Sequence, residues 1–125
     1  TLDEMLTMIK TFFLNFNFRY RYPIVLFYEE DFEDQKHVIT DFLPLNLRKL
    51  IIFKKISLTT PGYLSRDQIP EKTICTPFRN LGYRHMCQFM SYEVHSHLSE
   101  YEWHFRLDSD SIIPSQFGYD PIEVM

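Results

Sequence analysis

The sequence predicts an α/β domain with a mostly parallel sheet flanked by helices. Two kinds of segment lead to this prediction. In some segments apolar residues recur at helical spacing, and between them lie short continuous apolar runs, which are typical of buried parallel strands. Their order along the chain is helix, strand, helix, strand, long loop, helix and strand. Alternation of this kind is the usual pattern of a parallel α/β sheet.

The first half of the chain contains two predicted helices and two predicted strands. Apolar spacing predicts a helix over residues 3 to about 15, with Thr1 or Asp3 as its cap. The apolar runs at residues 23–28 and 50–53 predict buried strands. Residues 31 to about 42 place their apolar side chains on roughly one face, which predicts the second helix between these strands.

The second half begins with an irregular stretch. Residues 59–77 contain three prolines and predict a long surface connection, and loops of that length are often functional. The spacing then predicts a third helix from about residue 78 or 83 through Leu98. A third strand is predicted over residues 102–107, and another helix is predicted to start near Pro121.

Composition excludes several classes of protein. A chain of 125 residues, 45% of them hydrophobic, can bury a core and is expected to form one domain over residues 1–125, or part of one. Its formal charge of -4 argues against nucleic-acid binding. No run of residues is apolar for long enough to predict a membrane span. The two cysteines, Cys75 and Cys87, allow either one disulfide or two thiols.

Asp108 and Asp110 follow the predicted third strand and are the first candidate site. Ligands of parallel sheets bind beyond the carboxyl ends of the strands. Carboxylate oxygens are preferred ligands of Mn²⁺ and Mg²⁺, and such a cation can neutralise a diphosphate. The pair therefore predicts a metal site for a nucleotide-linked substrate, with a solvated turn after an edge strand as the alternative.

Three further motifs carry a resemblance to a known family. Residues 83–89 read Tyr-Arg-His-Met-Cys-Gln-Phe, residues 105–110 read Phe-Arg-Leu-Asp-Ser-Asp, and residues 119–121 read Tyr-Asp-Pro. Together they resemble glycosyltransferase family 15, the fungal Golgi α-1,2-mannosyltransferases, whose pattern runs Tyr-Arg-His-Met-Cys-Arg-Phe, then Trp-Arg-Val-Glu-Pro, then Tyr-Asp-Pro. The resemblance is strong over residues 81–125, moderate over residues 2–50 and poor between them.

The resemblance implies a partial GT-A fold, which is a Rossmann-like fold that binds nucleotide sugars. It implies transfer of mannose from GDP-mannose onto a glycan of a protein or lipid, as a step of glycosylation, with manganese or alternatively magnesium. It also implies a type II membrane protein of the Golgi or another secretory-pathway lumen, whose membrane anchor lies outside this chain.

The site residues are carried over position by position. Asp108 stands where the family has its metal-binding Glu, and Asp110 stands where some members have a second acid. Tyr83 and Arg84 match residues that are expected to face the donor. Arg106 is expected either to neutralise phosphate or to pair with Asp108. The resemblance assigns no general base or nucleophile to this chain. His85 also matches the family, but the role expected for it is that of a hydrogen-bonded histidine on a packed helix.

Departures from the family pattern leave alternatives open. Gln88 replaces an Arg, Tyr92 replaces a Gly and Ser109 replaces a Pro, so a different nucleotide-sugar donor or an inactive α/β binding domain stays open. The family's first strand and its acceptor-binding half are expected outside residues 1–125.

A metal site of three histidines is a further alternative, but it is disfavoured because the nearest two lie two residues apart on a predicted helix and would face away from each other. These histidines are His95, His97 and His104.

Overall fold

A computed structural model describes residues 1–70 and 80–125. The chain folds in two units. The first comprises Thr1–Ile56 together with Trp103–Met125, and the second comprises Ser57–Glu102. A single domain over residues 1–125 stays a prediction.

The first helix begins at Leu2 and reaches Tyr20 in three consecutive parts. An α-helix over Leu2–Phe12 continues into a π turn over Phe13–Asn17 and a last α turn over Phe18–Tyr20. Thr1 caps the helix, because its hydroxyl accepts the Glu4 N–H while the Glu4 side chain bonds back to the cap backbone. The helix predicted over residues 3–15 is confirmed, and it extends farther than predicted.

The buried side chain of Asn17 holds the turn that ends this helix. Arg21 has φ 59° and ψ 37°, a left-handed conformation that is uncommon for residues other than glycine. The Tyr22 N–H donates to Asn17 Oδ1 at 2.7 Å, and Asn17 Nδ2 donates to the Tyr22 carbonyl at 2.8 Å. These two bonds satisfy the Asn17 amide away from water and direct the chain into the strand that begins at Ile24.

Two parallel strands form a sheet within the described residues. β1 is Ile24–Tyr28 and β2 is Ile51–Lys55, and their register places Ile24 opposite Ile51 and Tyr28 opposite Lys55. This confirms the strands predicted at residues 23–28 and 50–53. It also confirms the α/β class and the parallel direction of this sheet.

The connection between β1 and β2 is helical. It consists of a 3₁₀ helix over Glu30–Gln35, an α-helix over Lys36–Phe42 and a short helix over Leu45–Arg48. The helix predicted over residues 31–42 is therefore present, although its first half is wound as a 3₁₀ helix. A helical crossover of this kind is what two parallel neighbouring strands require.

The core of the first unit lies between the first helix and the crossover. Alternate residues of both strands, Ile24 and Leu26 in β1 and Ile51 and Phe53 in β2, pack against this core. Its buried members are Met8, Ile9, Phe13, Ile39, Leu43 and Leu47.

The two strands are half-buried, whereas fully buried strands were predicted, so that part of the prediction is wrong. In the described residues each strand has one hydrogen-bonded neighbour, which leaves one edge of each strand without a ladder partner there.

The C-terminal segment of the first unit corrects two predictions. Residues 102–107 form no strand and make no ladder with β1 or β2. The alternation of its side chains also fails to define a buried face, since residues 102–106 are all exposed. Near Pro121 the chain makes a turn over residues 121–124 in place of the predicted helix.

The second unit contains the predicted third helix. Asn80 caps it by accepting the Tyr83 N–H at 2.8 Å. The helix then runs through Leu81–Gln88, a π turn over Phe89–Glu93 and Val94–His97. The predicted irregular stretch contains a single 3₁₀ turn, Arg66–Gln68, in its described part. Residues 71–79 of that stretch, with Cys75, lie outside the described residues.

Among the helices of residues 1–70 and 80–125, none combines the length and the apolar character that a membrane span requires.

Truncation of a core aromatic side chain is expected to unfold the first unit more readily. Phe13→Ala removes a side chain that is only 4% exposed, and we expect it to lower the free energy of unfolding by about 3–5 kcal/mol. Urea denaturation of the chain measures this loss. Leu14→Ala is the matched control, because Leu14 is the next residue of the helix and is 63% exposed. Equal losses for the two variants would contradict the described core.

Removal of the Asn17 amide is expected to destabilise the turn after the first helix. Asn17→Ala leaves the N–H and C=O of Tyr22 without their partners, and we expect a loss of about 2 kcal/mol in the free energy of unfolding. Asn46→Ala, at an exposed asparagine, is the control in the same urea titration. A neutral Asn17→Ala variant would show that the turn forms without this side chain.

Candidate functional site

The two predicted metal-binding acids lie on an exposed turn. The Ser111 N–H donates to the Asp108 carbonyl at 2.9 Å, which closes a turn over residues 108–111. Asp108 and Asp110 are both exposed on it. The turn follows an irregular segment, so the prediction that these acids stand at the end of a third strand is wrong. Their exposure on a defined turn is the observation that replaces it.

Arg106 pairs with Asp108 on this turn. Its Nε and Nη2 donate to the same carboxylate oxygen, Asp108 Oδ1, at 3.0 and 2.7 Å. Both side chains are about half exposed, at 49% and 62%, so solvent screens the pair and it contributes little to stability. Of the two roles left open for Arg106, the structure shows the ion pair. Within the described part of the chain, Asp108 Oδ2 has no bonded partner.

Apolar residues on both sides attach this turn to the core. Leu107, directly before the turn, is half-buried and packs against the apolar clusters around Ile9 and Phe16. Ile113, two residues after the turn, is buried against Phe12 and Phe16. The acids are therefore presented to solvent from a segment whose two ends are packed.

A second polar contact fastens the end of the segment. The Tyr22 hydroxyl donates to Asp120 Oδ2 at 2.6 Å, and Asp120 Oδ1 accepts the Ile122 N–H at 2.9 Å. Asp120 is one of two buried polar residues of the described chain, and it belongs to the Tyr-Asp-Pro motif at residues 119–121. The hydrogen bond to the Asp120 carboxylate, with burial and its negative charge, raises the pKa of Tyr22 to about 12.

The carboxyl ends of the two strands carry a network of charges. Lys55 of β2 pairs with Glu30, and Lys36 pairs with Glu33. Lys36 Nζ also donates to the Tyr28 hydroxyl at 3.1 Å and lies 4.7 Å from the centre of that ring. The hydrogen bond to Glu33 raises the pKa of Lys36. Because each cation here already has an acidic partner, the network is accounted for as a structural feature of the first unit.

Tyr83 and Arg84, the predicted donor-binding residues, lie in the first turns of the third helix, in the second unit. Tyr83 is 42% exposed. Arg84 is half-buried, and its Nη2 donates to the Pro70 carbonyl at 3.0 Å. Its buried Nε has no hydrogen-bond partner within the described residues. The structure thus places these two residues side by side on one helix, and it brings Arg106 and Asp108 together in the first unit.

The remaining residues of the Tyr83–Phe89 block have local roles. His85 Nε2 lies 3.2 Å from Thr60 Oγ1, which confirms the expectation of a hydrogen-bonded histidine. Gln88 donates to Glu93 at 2.6 Å. Cys87 is half-buried and forms no disulfide with any residue that the structure describes. Among the described residues no group of three His, Cys, Asp or Glu side chains could hold a metal ion, so the three-histidine alternative finds no support there.

The acidic turn presents two carboxylates, a type of ligand that divalent cations accept. Mg²⁺ and similar hard cations are commonly held by one or two carboxylates, with substrate phosphates and water completing the coordination. Asp108 Oδ2 and the exposed Asp110 carboxylate provide oxygens of that kind. The turn by itself provides too few ligands for a cation cage made only of protein.

The sequence analysis did not identify the residues that bond the C-terminal segment or the turn before β1. Thr11, Asn15 and Tyr22 bond the C-terminal segment, and Asn17 bonds Tyr22 in the turn before β1. The available signal was the presence of Asn15 and Asn17 within a phenylalanine-rich helical run, where amides are unusual unless they are bonded. Their partners are up to 102 residues away and could not be inferred from that signal.

The first unit thus combines an α/β fold with an exposed acidic turn and an arginine paired to it. Comparison with known proteins identifies the family. The chain belongs to glycosyltransferase family 15: the family model described as glycolipid 2-alpha-mannosyltransferase matches residues 1–125. The resemblance carried by the motifs at residues 83–89, 105–110 and 119–121 is thereby confirmed.

Three curated relatives illustrate the match. The chain is 30% identical over 113 residues to "Probable mannosyltransferase KTR3" of Saccharomyces cerevisiae, covering 84% of this chain and 28% of that protein. It is 26% identical to "Alpha-1,2 mannosyltransferase KTR1" of the same yeast, a match that covers 99% of this chain and 34% of that protein. It is 24% identical to "O-glycoside alpha-1,2-mannosyltransferase homolog 5" of Schizosaccharomyces pombe, a match that covers 99% of this chain and 31% of that protein.

The chain spans about a third of the length of these relatives. No solved structure matches it significantly.

The contribution of the Tyr22–Asp120 hydrogen bond to stability is expected to depend on pH in the alkaline range. The folded pKa of about 12 lies above the ordinary value of 10.0, so the contribution of this contact to stability is complete below pH 10 and is lost as pH rises through 12. We expect wild type to be more stable than Tyr22→Phe below pH 10, and the difference to vanish near pH 12. Urea titrations of both proteins across this range measure it.

Absorbance of tyrosinate provides the independent check of that assignment. The difference between the titrations of wild type and Tyr22→Phe should be a single transition near pH 12. A difference transition near pH 10 would contradict the hydrogen bond to Asp120.

Proposed function

We propose that this chain is the nucleotide-sugar-binding part of a GT-A mannosyltransferase, which transfers mannose from GDP-mannose to a glycan hydroxyl on a protein or lipid. The observation that carries the proposal is the exposed turn of Asp108 and Asp110, held by packed residues on both sides, in a chain that matches family 15 along its whole length. The names of the relatives, all mannosyltransferases, support the sugar.

In this proposal Asp108 and Asp110 hold Mn²⁺, or alternatively Mg²⁺, against the diphosphate of the donor. The cation, when bound, stabilises the negative charge that develops on the leaving diphosphate. Arg106 lies 2.7 Å from the same carboxylate and supplies a second positive charge beside it. Because Arg106 binds only Oδ1, the Asp108 carboxylate can contact the cation through Oδ2 while it keeps the ion pair.

The chemistry proposed is a displacement at the anomeric carbon. The acceptor hydroxyl oxygen forms a bond to that carbon, the bond from the carbon to the diphosphate oxygen breaks, and GDP leaves with the electron pair. Tyr83 and Arg84 are proposed donor contacts, on the strength of their match to the family motif. The proton of the acceptor hydroxyl passes to the departing diphosphate or to solvent. Family membership favours retention of configuration, with the new bond formed on the face from which the diphosphate leaves.

The proposal includes a location in the Golgi or another secretory-pathway lumen. This rests on membership of family 15, and attachment to a membrane is proposed to come from a segment outside residues 1–125.

Substitution of the acids is expected to remove the dependence of donor binding on metal. In Asp108→Asn and Asp110→Asn we expect the affinity for GDP in the presence of Mn²⁺ to fall at least about tenfold, because each loses a charged ligand oxygen. Isothermal titration of GDP with Mn²⁺ or with EDTA measures this. Asp41→Asn is the matched control, since Asp41 is an exposed acid on the second helix.

Titration of wild type with UDP under the same conditions tests the donor. Tighter binding of GDP than of UDP is expected. Binding of GDP to wild type that is unaffected by EDTA would contradict the metal site, and preference for UDP would favour a different donor. Absence of any nucleotide binding would favour an inactive binding domain.

A further inference from the structure

Two side chains of the first helix hold the backbone of Ile113 at both of its polar groups. The Ile113 N–H donates to Thr11 Oγ1 at 3.2 Å, and Asn15 Nδ2 donates to the Ile113 carbonyl at 2.5 Å. Thr11 and Asn15 are four residues apart, a spacing that places side chains on the same side of a helix. Ile113 is therefore bonded on both sides as a strand residue would be, although its partners are helical side chains.

The hydroxyl of Thr11 and the backbone of Asn15 extend this contact. Thr11 Oγ1 donates to the Met8 carbonyl at 3.1 Å, so it is oriented to accept from Ile113. The Asn15 carbonyl accepts the Phe117 N–H at 3.1 Å. Asn15 lies within the π turn over Phe13–Asn17, where intrahelical bonding is altered, and π turns of this kind are frequent at functional sites.

Ile113 is also close in sequence to the acids. It lies three residues after Asp110, and the half-buried Leu107 lies one residue before Asp108. Between these two packed residues the acidic turn has one described backbone bond of its own, from Ser111 to Asp108. The position of the acids is therefore fixed by how the two ends are held, and Thr11 and Asn15 hold one of those ends.

We propose that Thr11 and Asn15 are positioning residues of the acidic turn, whose hydrogen bonds to Ile113 set the direction in which Asp108 and Asp110 face a divalent cation. This rests on the proposed function, because it concerns the same metal site. Neither side chain contacts the cation in this proposal. They act through Ile113, as outer residues commonly orient the ligands of a metal.

The test compares Mn²⁺ affinity among variants of Thr11 and Asn15. Thr11→Val keeps the shape of the side chain and removes the hydroxyl, whereas Thr11→Ser keeps the hydroxyl. Asn15→Leu removes the amide donor. Thr7→Val is the matched control, because Thr7 lies one turn earlier on the same helix and its hydroxyl donates to the Asp3 carbonyl of that helix.

The dissociation constant of Mn²⁺ in the presence of GDP is measured by electron paramagnetic resonance of the free ion. We expect it to rise about tenfold in Thr11→Val and in Asn15→Leu, the scale seen when residues behind metal ligands are changed. Thr11→Ser and Thr7→Val are expected to stay within about twofold of wild type. Hydrogen exchange of the Ile113 amide should accelerate in Thr11→Val and not in Thr7→Val.

Three outcomes would overturn the proposal. The first is an unchanged Mn²⁺ affinity in Thr11→Val and Asn15→Leu while wild type binds Mn²⁺, in which case the proposed function stands and the positioning role fails. The second is an equal loss in Thr7→Val, which would assign the effect to helix stability. The third is a wild type without Mn²⁺-dependent GDP binding, which would remove the proposed function and the positioning role together.

Discussion

The first unit depends on one buried amide. Asn17 binds both polar backbone groups of Tyr22, and through them it stabilises the left-handed Arg21 between the first helix and β1. Without this turn the helix would not be followed directly by the strand whose alternate residues pack beneath it. The same turn orients Tyr22, whose hydroxyl reaches Asp120 near the other end of the chain. Tyr22 therefore takes part both in this local turn and in a contact with a residue 98 positions away in the sequence.

The candidate site shows how an irregular segment can be given a definite position. Residues 107–120 have neither helix nor strand, yet the first helix bonds them through Thr11 and Asn15 and packs against Ile113 and Phe117. Buried polar backbone must be paired, and here helical side chains supply the partners that a sheet would otherwise supply. In the proposed function these bonds position the exposed acids Asp108 and Asp110, because a binding site needs its ligands held in place.

Elements defined by local patterns were predicted well. Apolar spacing predicts the first helix, β1, β2 and the third helix. The reason is that each of these elements turns one face toward a core, and the side chains of that face recur at a regular spacing. The strand at residues 102–107 was predicted by the same reasoning and is absent, since a strand also needs a neighbour that accepts and donates its backbone bonds. Periodicity carries no information about that neighbour. The helix predicted at Pro121 is also absent and a turn stands there, although the Asp120 carboxylate accepts the Ile122 N–H as a helix cap would.

Family membership could be read from the sequence, since the motif at residues 83–89 is unusual in both composition and order, and the match over the whole chain confirms it. The family motif also allowed three candidate site residues to be chosen, namely Asp108, Asp110 and Arg106. The arrangement of these side chains in space could not be predicted from the motif. The pairing of Arg106 with Asp108, the two bonds to Ile113 and the burial of Asp120 depend on which side chains meet in the folded chain. Such meetings are set by packing between residues far apart along the chain, whereas a motif records only the residues themselves and their spacing.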